Sequence, residues 1–272
     1  MENFAIVLFK PKSSGNIGAV ARALKNMGLG DLRLVAPPSF NRRAADAMAV
    51  HADDILDRAR VYPDLISALD DCTFTVGTTC RPGPYRSSAK TLREMAGELV
   101  LETSVNKVAI IFGPEDFGLS NEELKLCQQL MTIPASPDYP SLNLAQAVMV
   151  VSYELMMAAT GLQALTAHAD RASSNDEERN AVSDLSKPIE RAPAAAVDAM
   201  MERMADALIA IGFASADNPD HIMFAIRNML GRSGITPREL DILNGLAHQI
   251  GWFAEGGRET IQSKLRAGRK IR

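Results

Sequence analysis

Three features of this sequence could do chemistry: an arginine just past a pair of glycines, an acid bracketed by glycines, and a proline-stiffened loop ahead of an apolar helix. The arginine is Arg22, in the run Ser13-Ser14-Gly15-Asn16-Ile17-Gly18-Ala19-Val20-Ala21-Arg22. It lies one helical turn beyond Gly18 and two beyond Gly15. Helical side chains lean back toward the N-terminus. A guanidinium here can therefore lie over the glycines and reach the helix start, where free N–H groups and the helix dipole favour an anion such as a phosphate. The same spacing also suits a plain solvent-facing arginine. The run lacks the G-x-G-x-x-G spacing, and the next strand ends Leu34-Val35-Ala36-Pro37-Pro38 with no acid to hold a ribose diol. A nicotinamide dehydrogenase is therefore a poor reading, and no G-x-x-x-x-G-K-[ST] phosphate loop occurs.

The acid is Glu115, in Gly113-Pro114-Glu115-Asp116-Phe117-Gly118-Leu119-Ser120. Glycines on both sides let backbone approach a ligand closely. Ser120 and Glu123 are spaced as a capping box for a following helix, so the stretch also reads as an ordinary turn. The third feature is Ile133-Pro134-Ala135-Ser136-Pro137-Asp138-Tyr139-Pro140-Ser141-Leu142-Asn143-Leu144-Ala145, where prolines stiffen the loop and Ser141 is the expected cap.

The elements that must position these residues alternate. Phe4–Phe9, Leu32–Ala36, Phe74–Gly77 and Val108–Phe112 read as short strands, with helices between them such as Asn16–Met27 and Arg42–His51. Short strands separated by helices imply an α/β fold with a mostly parallel sheet covered on both faces. Ligands in such folds bind beyond the carboxyl ends of the strands. The loops there are Lys10–Gly18, Thr78–Arg86, Gly113–Ser120 and Pro134–Asn143. Leu142–Ala159 is apolar nearly all round, which marks a helix buried in the core or at a subunit interface; a homodimer interface is the preferred reading. The composition divides the chain into a domain over 1–162, a linker over 163–190 rich in Ala, Ser, Asp, Glu and Asn, and an all-helical extension over 191–272. In that extension Asn218-Pro219 and Thr236-Pro237 read as N-caps followed by proline at the first helical position.

A net charge of −4 argues against a protein held on nucleic acid by bulk charge. Any such contact needs a local patch. The sequence offers one at its end, with Arg258, Lys264, Arg266, Arg269, Lys270 and Arg272. A frayed, solvated terminus explains that run equally well. The three cysteines, Cys72, Cys80 and Cys127, lie far apart, as in a reduced cytoplasmic protein, and neither they nor the scattered histidines have metal-ligand spacing. No membrane-spanning run and no signal peptide are read from the sequence.

Taken together, Asn16-x-Gly18-x-x-x-Arg22, Gly113-x-Glu115-x-x-Gly118-Leu119-Ser120 and Ile133-Pro134…Ser141-Leu142-Asn143-Leu144-Ala145 resemble the three motifs of the SpoU RNA methyltransferases, in order and in spacing. The resemblance covers about residues 1–160. Asp138-Tyr139-Pro140-Ser141-Leu142-Asn143 and the stretch from Ile211-Gly212-Phe213 to Ile242-Leu243 are similar to the bacterial branch that methylates the ribose at position 32 (C or U) of the tRNA anticodon loop. The resemblance implies a SPOUT-type parallel sheet with a C-terminal trefoil knot. It implies S-adenosylmethionine as methyl donor, with S-adenosylhomocysteine as product and no metal. The donor's contacts would be Thr78, Thr79, Cys80, Gly113, Ile133, Ser141, Leu142 and Asn143. It implies a homodimer in which Arg22 of one chain approaches the donor bound in the other, with Asn16 and Asn143 orienting groups and Glu115 fixing Arg22 or a loop amide.

A guanidinium is effectively always protonated. Arg22 is therefore expected to bind the target phosphate and steady the forming oxyanion, while the proton leaves to that phosphate or to water. Ribosomal RNA in place of tRNA, and a non-catalytic RNA-binding module of the same fold, are the rival readings. Two stretches depart from the family: Gly113-Pro114-Glu115-Asp116, where relatives often carry arginine beside the glutamate, and Cys80-Arg81-Pro82-Gly83-Pro84-Tyr85-Arg86, whose role the resemblance does not supply.

Overall fold

The computed structural model describes residues 1–171 other than 82, 84, 85 and 87, and residues 188–257, with the backbone course alone for 166–171. The basic tail from Arg258 lies outside the described residues. The chain divides into two compact units, Met1–Ala194 and Ala195–Arg272.

The expected strands form as β1 (Phe4–Phe9), β2 (Asp31–Val35), β4 (Phe74–Thr78) and β6 (Val108–Phe112). Three shorter strands join them: β3 (Arg60–Tyr62), β5 (Lys90–Thr91) and β7 (Gln129–Thr132). These were not read from the sequence, because runs of two to four residues carry no usable periodicity. Every ladder is parallel and the sheet runs β3-β2-β1-β6-β4-β7-β5. Every residue of the central strands β1 and β6 is buried, as expected for a sheet covered on both faces. Because β1, β6, β4 and β7 are neighbours and parallel, the loops that leave their carboxyl ends crowd together. Those are the loops that carry the chemical residues.

Helix α1 (Ser14–Asn26) is capped by Ser13, whose side chain accepts from the peptide N–H of Asn16. It packs on α2 (Arg42–Ala49) so closely that a Cβ added at Gly18 would stand 1.9 Å from the carbonyl oxygen of Ala45. The open side of Gly18 is thus filled by α2. It is not left as a bed for the Arg22 side chain, which corrects the sequence expectation. Next come α3 (Asp53–Arg58), α4 (Leu65–Ala68), α5 (Leu92–Glu102) and α6 (Asn121–Leu124). The Ser120–Glu123 capping box on α6 forms as expected. Helix α7 (Leu144–Arg171) packs on α1 and α5 through Leu144, Val148, Val151 and Leu155. It continues through Arg171, into the stretch whose composition reads as a linker.

One part of α7, Leu144–Leu165, is long and apolar enough by length and composition to cross a membrane, although the sequence reading found no such run. Ser152 and Glu154 interrupt the apolar run in sequence, yet the mean hydropathy of the helix stays high. Its face toward α1 and α5 is core, while Val150, Tyr153 and Met157 stay exposed.

The second unit is helical: α8 (Ala194–Ala210), α9 (Asp220–Ser233) and α10 (Pro237–Trp252). Thr236 caps α10 in a full capping box with Glu239, and Pro237 stands in the first turn. Asn218 does not cap α9: the capping position is Pro219, with no side-chain bond to the helix. Within this unit Arg227 pairs with the half-buried Asp198, and Arg203 donates to Asn244 Oδ1 at 2.8 Å.

Candidate active site

A cleft opens where the loops after β4, β6 and β7 meet. Of the residues named from the sequence, Thr78, Thr79, Cys80, Gly113, Glu115, Ile133, Ser141 and Leu142 line it. Asn16, Asn143 and Arg22 do not line it. Arg81, Arg86, Asp116, Phe117 and Leu144 line it without having been named as site residues.

Each loop is fixed by a local cause. Thr78 closes β4 with its hydroxyl donating to the carbonyl of Ile111, and the peptide N–H of Thr79 extends the ladder onto Met131 O at 2.9 Å. The loop after β6 folds back on itself tightly. A Cβ at Gly113 would meet the backbone of Gly118 at 2.2 Å, so only glycine fits there, and Gly118 itself takes a φ of 62°. The loop after β7 ends at Asn143, not at Ser141, as the cap of α7. Asn143 Oδ1 accepts from Ala145 N at 2.9 Å, and the Gln146 side chain accepts in return from the peptide N–H of Asn143. Asn143 wins this role because a cap must stand immediately before the first helical residue, and α7 begins at Leu144.

The same Asn143 joins two motifs. Its Nδ2 donates to Asn16 Oδ1 at 3.1 Å, and Asn16 Nδ2 donates to Glu115 Oε1 at 2.9 Å. Glu115 also accepts from the peptide N–H groups of Lys12 (2.9 Å) and Ser13 (3.1 Å). Partial burial acts to raise the Glu115 pKa, but the Asn16 amide and these peptide donors outweigh it and hold the carboxyl below its usual range. Glu115 therefore stays ionised and staples the loop after β1 to the loop after β6. Within its own chain Glu115 thus meets loop amides and not Arg22. Asp116 pairs with Lys12, which lowers its pKa. Across the cleft Arg81 donates to Asp116 O at 3.0 Å, and Arg86 donates to Leu119 O at 3.1 Å. Arg81 and Arg86 were signalled in sequence only by being arginines in a proline- and glycine-rich loop at a strand's carboxyl end.

Arg22 is exposed on α1. Among the described residues it has no hydrogen-bond or ion-pair partner within its own chain.

Residues 3–153 match the family model described as the SpoU rRNA Methylase family. The chain belongs to the SpoU methylase family. Residues 195–262 of this SpoU methylase match a second model, the C-terminal domain of the tRNA methyltransferase TrmJ. Over 257 residues it is 36% identical to the tRNA (cytidine/uridine/adenosine-2′-O-)-methyltransferase TrmJ of Pseudomonas aeruginosa, covering 94% of this chain and 96% of that one. It is 34% identical over 250 residues to the tRNA (cytidine/uridine-2′-O-)-methyltransferase TrmJ of Klebsiella pneumoniae, covering 92% and 97%. Among solved structures, the crystal structure of TrmJ from Z. mobilis aligns over 90% of this chain and 98% of its own at 29% identity, with a TM-score of 0.70. A probable methylase family protein from Haemophilus influenzae aligns over 92% and 96% at 33% identity, with a TM-score of 0.57.

Proposed function

We propose that this SpoU methylase transfers a methyl group from S-adenosylmethionine to a ribose 2′-hydroxyl of tRNA, at position 32 of the anticodon loop. One observation carries the reading. The loops after β1, β4, β6 and β7 are laced together at the carboxyl ends of four adjacent parallel strands, in a chain similar to tRNA 2′-O-methyltransferases over more than nine-tenths of its length.

The cleft suits the donor chemically. Phe112, Ile133, Leu142 and Leu144 give it apolar walls for an adenine ring. Among the described residues the peptide N–H groups of Ser141 and Leu142 have no internal partner, so they are available to polar edges. Thr78, Thr79, Cys80 and Gly113 would complete the donor's surroundings. When bound, S-adenosylmethionine supplies a methyl carbon attached to a cationic sulfur.

The chain's residues have to orient the ribose hydroxyl and stabilise the oxyanion it becomes. Arg22 performs both, binding the adjacent phosphate and lying beside the developing charge. It does not take the proton, because guanidinium cannot be deprotonated in a protein; the proton passes to the phosphate or to water. Asn16, Glu115 and Asn143 position the loops around it. Arg22 is absent from its own cleft and exposed, which supports a homodimer in which it serves the partner's cleft. The exposed apolar Val150, Tyr153 and Met157 of α7 provide a surface for that pairing. The family's threaded C-terminal trefoil knot, a cytoplasmic location, and the helical region as a second RNA contact belong to the same proposal.

The test is methyl incorporation into unmodified tRNA and ribosomal RNA with labelled donor, followed by mass mapping of the modified ribose. Label in the anticodon loop is expected. Label confined to ribosomal RNA would favour the substrate named in the family's description. No incorporation into either would defeat the proposal.

A further inference from the structure

Phe117 has no counterpart in the chemistry described so far. It is 66% exposed at the tip of the loop after β6 and lines the rim of the cleft. Exposed apolar side chains scattered singly need no explanation. This one differs in how firmly it is presented. The residue before it is held twice, by the Lys12 ion pair to the Asp116 carboxylate and by Arg81 on the Asp116 carbonyl. The residue after it closes a turn, with Gly118 N donating to Pro114 O at 2.8 Å. The ring is therefore held out toward solvent by a loop with little freedom to fold it away.

Beside it stand one matched and one unmatched cation: Lys12 is paired with the Asp116 carboxylate, whereas Arg81 is not paired. The Lys12 ammonium lies 5.7 Å from the ring centroid. Arg81 is exposed and bound to a neutral carbonyl, and among the described residues no carboxylate pairs with it. A flat apolar face beside an unmatched cation matches a nucleotide, whose base stacks while its phosphate meets the positive charge. The inner wall of the cleft is already apolar through Phe112, Ile133 and Leu142, so the donor's own ring has a place deeper than Phe117.

We infer that Phe117 is a stacking platform for an unpaired base of the substrate RNA next to the methylated ribose, with Arg81 beside its phosphate. The inference deepens the proposed function and rests on RNA being the substrate. Stacking of a base on an aromatic ring predicts a loss of RNA affinity of roughly ten-fold on removing the ring.

The experiment compares the full-length protein with Phe117→Ala, Phe117→Leu and Phe117→Trp. It measures the Kd for unmodified tRNA by anisotropy, the Kd for S-adenosylhomocysteine by calorimetry, methyl-transfer kinetics, and mass in solution by light scattering. Phe117→Ala and Phe117→Leu are expected to raise the tRNA Kd and KM by roughly ten-fold. The S-adenosylhomocysteine Kd and kcat should stay near wild type, and Phe117→Trp should restore RNA binding. The inference is overturned if Leu serves as well as Phe, if donor affinity falls in step with RNA affinity, or if the mass changes, which would assign the ring to a second copy of the chain. A wild-type protein that binds tRNA without methylating it would defeat the proposed reaction, while the RNA Kd series would still decide the role of Phe117.

Discussion

The two ends of the sheet use arginine in opposite ways. At the amino end Arg33 is fully buried, and each of its nitrogens is engaged: Nε and Nη2 with Asp31, both Nη groups with Asp71, and Nη1 with the carbonyl of Ala68. Arg60 and Lys107 add to the same cluster. Close by, Arg191 is buried against Glu102 at 2.7 Å with its guanidinium 4.1 Å from the Phe74 ring, and Ala194 N donates to Cys72 O. Burial pushes the Cys72 thiol up to about 12, so it stays protonated. At the carboxyl end Arg81 is exposed, as Arg22 is on α1, and among the described residues no carboxylate meets either of them. A buried charge must be matched by the fold or it destabilises it. An exposed, unmatched one costs the fold little and is available to a phosphate. The amino end is therefore built to hold the chain together and the carboxyl end to act on something else.

Four substitutions or conditions test that division, in descending order of effect. Arg22→Ala should lower methyl transfer by about 100- to 1,000-fold, the loss typical of one oriented donor to a forming oxyanion, or roughly 3–4 kcal/mol. S-adenosylhomocysteine affinity and thermal stability should hardly change; wild-type turnover would remove Arg22 from the chemistry. Arg33→Met should do the reverse. It leaves Asp31 and Asp71 without their shared cation and should cost about 3 kcal/mol of stability in a urea titration, with kcat per folded molecule retained.

Acid should act on the same end. Burial acts to raise Asp31, but hydrogen bonds from Arg33 and Arg60 hold it down at about 2, below its ordinary 3.8. Its contribution is therefore present above about pH 4 and lost as the pH falls toward 2, roughly 2 kcal/mol in all. Unfolding followed by circular dichroism across that range checks the sign, and a flat profile would contradict it. The smallest effect is Asn143→Ala, which removes the α7 cap and the link to Asn16. It should cost about 1 kcal/mol and also weaken donor binding, whereas a cap of no functional consequence would show the stability loss alone.

The strands β1, β2, β4 and β6 were legible because long apolar runs bounded by glycine or proline carry their own signal. The motif residues were legible because their order and spacing form a pattern. The partner of each was not. That Glu115 meets the Lys12 and Ser13 amides within its own chain follows from the β1–β6 neighbourhood, which the sequence does not encode. Ser141 looked like the cap, and the true start of α7 gave that role to Asn143.

By itself, then, the sequence determined the α/β alternation, the identity of the loops and the residue types within them, since these follow from local periodicity and turn chemistry. The strand order, which brings residues a hundred positions apart into one hydrogen-bonded group, was decided only by tertiary structure. So was the contrast between a buried Arg33 and an exposed Arg22. Burial and long-range pairing depend on which elements pack together, and no local pattern encodes that.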